Sequence, residues 1–313
     1  MKGSCTPNAI AVMSASTVAE SASRLRARIE SLWVYPIKSC AGVSLNEAEL
    51  TPAGLAWDRS WMVIDEDGEF VSQRELPRMA LIQPSFRLGQ LVLRAPGMLA
   101  LHLSLEAAEW PIKVRVWDDV VQAWDMGDIA AQWFSDFLAP DAPAGLRRLR
   151  LVRFDPEVRR LSARRWTGGR EAQVQFADGF GLLVTSSASL DGLNQRLQAA
   201  GQPEVDQRRF RPNIVLTDIE AHDEDRIGAW QIDTEAGVAR LENVKPCARC
   251  PIPDVDPDSA LSATAVGDTL RAYRQDPRLD GALIFGMNAI VLDGDGLVLR
   301  VGQAVEGEWR FDA

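Results

Sequence analysis

Histidine is almost missing from this chain. Only His102 and His222 occur among 313 residues. That excludes a histidine-built metal site and leaves two residues at most for a nucleophile–histidine pair. Cysteine is scarce too: Cys5, Cys40, Cys247 and Cys250. So few in a chain this long do not make a disulfide framework, and a reducing, cytoplasmic setting is the expectation. Long apolar runs are lacking. The longest, 282–292, falls well short of the roughly 20 residues a spanning helix needs, so no membrane association is expected, and the N-terminus carries no secretory pattern. Excess positive charge is lacking as well. Against 34 Lys and Arg stand 44 Asp and Glu, a net charge of −10. A nucleic-acid partner needs a positive footprint and is not expected; a local basic pocket for a small anion remains compatible.

What is present is ordinary soluble composition, 46% hydrophobic and 25% charged, in a length that allows about two domains. Residues 1–25 are rich in Ser, Ala and Thr and read as a disordered tail, with Met13 as an alternative start. Residues 28–35 alternate as a strand that Pro36 ends. Two hairpin signals follow, DEDG (65–68) between 61–64 and 70–72, and PG (96–97) between 91–93 and 99–103. Residues 112–117 alternate strictly. A helix begins at Asp128 as N-cap, with Ile129, Trp133, Phe134, Phe137 and Leu138 on one face. APDAPAG (139–145) is the best linker, dividing the chain into 26–145 and 146–313. The second part reads as short strands at 182–185, 213–216 and 237–241, helices at 189–200 and 266–275, and a final hairpin of 289–292 with 297–301. Strand and helix do not alternate regularly, so the expected class is α+β, mainly β: barrel-like sheets with few helices.

The sharpest local feature is KPCARCPIP (245–253). A zinc site lacks a second ligand pair. A thioredoxin-like motif needs a helix after its first cysteine, whereas Pro251 and Pro253 predict an extended loop. Two plain loop cysteines and a single thiolate ligand for a soft metal both stay open; Arg249 beside Cys250, and Lys245 nearby, favour a thiolate. YPIKSCAG (35–42) is a strand end where Lys38, Ser39 and backbone amides suit phosphate, unless Lys38 is merely a solvated turn residue. In RRFRPN (208–213), Arg211 precedes proline, which predicts an extended backbone and a fixed guanidinium, either gripping an anion or sitting in a surface ion pair. In WDRSWM (57–62), Asp58–Arg59 is either a buried ion pair or another anion contact.

Taken together, YPIKSCAG (35–42), DRSWMV (58–63) with SQRELPRM (72–79), FRPNIV (210–215) and KPCARCPIPDVDPD (245–258) resemble one family. It is the MOSC-domain proteins with an N-terminal MOSC β-barrel domain, the group that includes the mitochondrial amidoxime reducing component and its bacterial relatives. The resemblance spans about 28–307 and implies a β-barrel-like MOSC domain packed on a mostly β partner domain. It also implies a molybdenum cofactor, a pterin dithiolene carrying Mo, with Cys250 as thiolate ligand and catalytic residue. Lys38, Ser39, Arg59 and Arg211 would hold phosphate and pterin, with Asn213 beside Arg211. Gly179 and Phe180 would contact the cofactor through backbone, and Ala248 and Arg249 would flank the ligand. Asn288 falls where the mitochondrial relatives carry tyrosine. Pyridoxal phosphate binding is a further label attached to the domain at family level.

The implied reaction is two-electron removal of oxygen from N-hydroxylated compounds (amidoximes, hydroxamic acids, hydroxylamino bases), releasing amine and water. No residue stands out as a general acid; Asp256 and Asp258 read as capping or turn residues or as acids. Some bacterial relatives carry a four-cysteine iron–sulfur domain, and no cysteine follows Cys250 here. The electron donor is therefore expected to be a separate ferredoxin-type or flavin reductase protein, and the net acidity suits docking to a basic patch on it. A heterologous preparation can lack the cofactor and hold phosphate or sulfate instead. The alternative is a sulfur or cofactor carrier using a loop-cysteine persulfide.

Overall fold

The computed structural model describes residues 24–310. The tail, with Cys5 and Met13, lies outside the described residues, apart from Arg24 and Leu25, which already belong to the first strand. Seven strands close a barrel. In spatial order they are Leu182–Ser186, Ile214–Thr217, Arg24–Val34, Ala304–Trp309, Ile227–Thr234, Gly237–Ala248 and Ala282–Asp293, which pairs back onto Leu182–Ser186. Alternation sets the inner face: Ile29, Leu32, Val184, Leu216, Trp230 and Leu241 fill one core. A second sheet runs Trp61–Ile64, Arg150–Phe154, Asp119–Asp125, Trp110–Val116. A three-stranded antiparallel sheet, Gln83–Arg87, Gln90–Arg94 and Leu101–Ser104, shares another core with helix α1 (Asp128–Leu138), built on Trp61, Leu91, Phe134, Phe137 and Leu151. Helices α2 (Ser187–Ala199) and α3 (Ala265–Tyr273) pack with Phe210 and Phe285 beside the barrel. The mainly β expectation with few helices holds.

The chain passes between the sheets at both ends. Arg24–Val34 pairs only with strands of the second half and with the short Val43–Leu45, while Arg150–Phe154 pairs with Trp61–Ile64. One close approach locks the two halves. A Cβ on Gly181 would sit 2.4 Å from the Ala53 carbonyl oxygen, so only glycine lets the 179–181 loop lie against 53–54. No helix among the described residues is long and apolar enough to cross a membrane.

Three local expectations are corrected. The N-cap of α1 is Gly127 at φ 87, whose N–H donates to Asp125 Oδ1 at 2.7 Å. The helix therefore turns Ala130, Trp133, Phe134 and Phe137 inward and leaves Ile129 78% exposed, and Asp128 pairs with Arg150 instead of capping. The final hairpin does not form. Val298–Arg300 pairs with Glu47–Thr51, while Ala282–Asp293 pairs with Gly237–Ala248 on one edge and, at 287–289, with Leu182–Ser186 on the other. After DEDG, 70–72 adds a single bridge, Ile64 with Phe70, not a strand.

The barrel and α2 are joined by a buried carboxyl. Ser186 caps α2, accepting from Ser189 N–H at 3.1 Å. The Ser186 and Ser189 hydroxyls donate to Glu224 at 2.9 and 2.6 Å. Burial of Glu224, with Asp225 adjacent, raises its pKa from 4.5 to about 7 against the pull of those hydroxyls. The folded state thus favours the protonated form, so this group's contribution is full below about pH 4.5 and is lost as pH rises through about 7. Glu224→Gln should remove that loss. Urea unfolding of both proteins at pH 5 and pH 8 is expected to show the variant gaining on wild type at the higher pH, on the order of 2 kcal/mol.

Candidate functional site

A cavity of about 590 Å³ opens between the barrel and the second sheet. Lys38, Ser39, Arg59, Gly179, Phe180, Arg211, Asn213, Ala248, Arg249, Cys250 and Asn288 all line it. These eleven positions therefore meet at one place, although the segments are separated by up to 250 residues. Neither histidine lines it. Among the described residues no three His, Cys, Asp or Glu side chains converge as a metal-ligand set, so the zinc reading finds no structure behind it.

The cationic wall is built around Tyr35, at the end of the first strand. Its ring lies 4.4 Å from the Arg59 guanidinium carbon and 4.2 Å from that of Arg211. Asp58, fully buried, accepts from the Tyr35 N–H at 2.8 Å and from Arg59 Nη1 at 2.7 and 2.6 Å. Arg59 also donates to the Arg211 carbonyl at 3.0 Å. The Asp58–Arg59 pair is thus a buried ion pair, as one of its two readings had it, and Arg59 also lines the cavity. Arg211 is not extended before its proline, as expected, but left-handed at φ 59. The pre-proline clash excludes the right-handed helical region, and the positive-φ alternative turns the side chain back to Cys40, whose carbonyl it meets at 2.6 Å. Ser39 (φ 69) and Arg59 (φ 48) are left-handed too, so backbone strain gathers at the cavity. Burial first, then the Arg59 charge, lower the Arg211 pKa to about 10, and its Nη2 is buried without a partner.

Lys38 is 6% exposed and not a solvated turn residue. It donates to the Phe176 carbonyl at 2.9 Å and pairs with Asp178. Burial pulls its pKa down, opposed by Asp178. Partial desolvation opposes the Asp178 charge although its side chain is 68% exposed, but Lys38 and the Trp117 indole, 3.1 Å away, outweigh it and hold the carboxyl below the usual range. Asn213 stitches strands: its Oδ1 accepts from the Leu183 N–H at 3.0 Å, its Nδ2 donates to Trp33 O at 3.2 Å, and Arg59 reaches the same Oδ1 at 3.3 Å.

The cysteine loop leaves the strand Gly237–Ala248 and enters a single 3-10 turn, Ile252–Asp254, not a helix, as its prolines predict. Cys247 and Cys250 are free and half-buried. Arg249 serves the other cysteine from the one expected. Its Nη1 lies 2.9 Å from Cys247 Sγ and its Nη2 donates to Phe210 O at 2.9 Å. Cys40 is buried, which pushes its thiol up to about 12 despite Arg211, so it stays protonated. Asp256 accepts from the Asp258 and Ser259 N–H groups and from Arg209, and Asp258 pairs with Arg208. Both are turn and ion-pair residues outside the cavity lining.

Sequence reasoning missed Arg160. It is 6% exposed and donates to the carbonyls of Gln175, Ala177 and Asp178 at 2.7, 2.6 and 3.2 Å while pairing with Asp119. It therefore shapes the 175–180 wall, and within RRLSARR nothing separates it from its neighbours. Tyr35 was also missed, although tyrosine is one of the rarest residues here. Its hydroxyl is buried without a partner, so the ring and not the oxygen organises the arginines. Tyr35→Phe should leave stability within about 0.5 kcal/mol of wild type, whereas Tyr35→Leu should lose about 2 kcal/mol or more as two buried cations lose their ring; urea titration of the two variants checks this.

The profile of the MOSC N-terminal beta barrel domain matches residues 26–141, and that of the MOSC domain matches 171–306. Mitochondrial amidoxime-reducing component 1 of Mus musculus is 36% identical over 88% of this chain and 81% of its own length. Mitochondrial amidoxime reducing component 2 is 36% identical in Bos taurus and 35% in Homo sapiens, each over 79% of this chain and 72% of the relative. These relatives are named for reduction, and the carrier alternative gains nothing from them. With both domain profiles matched in order and relatives of this identity along most of its length, the chain belongs to the MOSC family, in the group that joins the N-terminal MOSC β-barrel domain to the MOSC domain.

Proposed function

We propose that this chain is a molybdenum-cofactor oxidoreductase that reduces N-hydroxylated compounds with electrons from a separate protein. The observation that carries the reading is the convergence of a half-buried free thiol, Cys250, with Lys38, Arg59 and Arg211 on one cavity. A soft ligand and an anion grip are the two things a phosphorylated pterin dithiolene carrying a metal requires. The donor set fits such a group. Arg211 Nη2 and Arg249 Nε are buried without partners, and an anion would satisfy them. When bound, the cofactor supplies a two-electron centre for removing oxygen from nitrogen.

The chain's own residues then bind, orient and enclose. Cys250 would be the protein's ligand. Arg59 and Arg211, fixed by Asp58 and Tyr35, would grip the phosphate with Ser39. Gly179 and Phe180 would present backbone from the wall that Arg160 shapes, and Asn213 would hold Arg59 in place. Lys38, occupied by Asp178 and Phe176 O, would contribute charge to the wall more than a free hydrogen bond. The named activity of the relatives supports an amidoxime-like substrate class.

The first test is Mo per chain by elemental analysis, on protein from a host with an intact molybdopterin pathway. Near-stoichiometric Mo in wild type and its loss in Cys250→Ala are expected, with viologen-driven reduction of an aromatic amidoxime falling to background in the variant. Retained Mo and turnover in Cys250→Ala would show that another group is the ligand.

A further inference from the structure

We propose that the exposed arginines of segment 158–171, with Lys245, form the docking face for an acidic electron-donor protein. This rests on the reading that electrons come from a separate protein. The net charge of −10 argues for a basic patch on the partner; the charge beside the cavity argues the reverse. The segment holds Arg159, Arg160, Arg164, Arg165 and Arg170 against one carboxylate, Glu171. Arg160 is buried structure and is set aside. Arg159 and Arg164 share Glu171, and Arg170 pairs with Glu242. Their side chains remain 60%, 63% and 53% exposed. Among the described residues Arg165 and Lys245 have no carboxylate partner. Instead they flank Trp166, at 5.8 and 5.1 Å from its ring.

This face begins at the cavity itself. Lys245 lines the cavity together with Cys247 and Cys250, so the row Lys245, Trp166, Arg165 leads from the cavity wall to the surface. The Arg170–Glu242 pair ties the segment to the same strand. The segment is also held in shape. Ser162 N–H donates to Ala172 O at 2.9 Å, Val174 N–H to Arg160 O at 3.0 Å, and the Thr167 hydroxyl to Arg170 O at 2.6 Å. A preformed face loses little freedom on binding. A positive patch on a protein of net negative charge orients an acidic partner, because the remaining surface is on balance repulsive.

The test titrates the full chain against two acidic carriers, a plant-type [2Fe–2S] ferredoxin and a flavodoxin, with basic cytochrome c as counter-probe. Expected is binding of at least one acidic carrier that weakens from about 0.01 M to about 0.15 M salt, as the Debye length falls from roughly 30 Å to roughly 8 Å. The double variant Arg164→Glu, Arg165→Glu should weaken that binding by about tenfold or more while viologen-driven turnover stays at the wild-type level. Unchanged affinity in the folded double variant overturns the proposal. So does a preference for cytochrome c, or failure of both acidic carriers to bind at low salt. Absence of viologen-driven turnover in Mo-loaded wild type would instead count against the reductase reading, and the binding result would stand apart from it.

Discussion

Two guanidinium groups held close together in a buried cavity are the constraint around which the rest of the molecule is arranged. Arg59 and Arg211 repel each other, and burial takes away the water that would screen them. Asp58 neutralises one and Tyr35 lends its ring to both. Neither arginine reaches its place in an ordinary backbone conformation. Both, and Ser39 as well, sit at positive φ, which costs about 1–2 kcal/mol per residue outside glycine. Such positions persist only where flanking structure over-determines them. Here the flanks are barrel strands on one side and the Trp61–Ile64 sheet on the other, stitched by Asn213 and by the Lys38 and Arg59 backbone N–H groups to Trp61 O and Tyr35 O.

Much of this was legible in sequence. Short alternating runs and turn signals predicted a mainly β chain; alternation found the strands at 28–35 and 112–117, and the 96–97 turn the hairpin of 91–93 with 99–103, to within a few residues. The site residues came partly from motifs, each ambiguous alone, and partly, as with Gly179, Phe180 and Asn288, from the family that the motifs together resemble. What was not legible depends on tertiary competition. Val298–Arg300 reads as a hairpin arm because nothing local says that its partner is Glu47–Thr51, about 250 residues away in the chain. Ile129 reads as core because its period fits, but the helix phase is set by the Gly127 turn and the Asp125 carboxylate.

The arginines teach the same lesson about charge. RRLSARR and RRFR look alike as runs of positive residues. Folding sorts them into an internal brace (Arg160), a cavity wall (Arg211), ion pairs of the Asp256 turn (Arg208, Arg209) and an exposed face (Arg159, Arg164, Arg165). Only burial and partners separate these fates. Net charge averages over all of them and so does not describe the charge at any one place on the surface.

The first strand has a consequence for how the protein is made. Arg24–Val34 leaves the ribosome well before both its long-range partners, Ile214–Thr217 and Ala304–Trp309. Until those partners are made, only the short Val43–Leu45 pairs with this strand, and its remaining open edges are the kind of template that captures other chains. The barrel closes only after residue 304 has been added, so its assembly is a late event of high contact order. A nascent chain stalled before that point carries Lys38, Arg59, Arg211 and Cys250 but not the strand that seats the first of their supports.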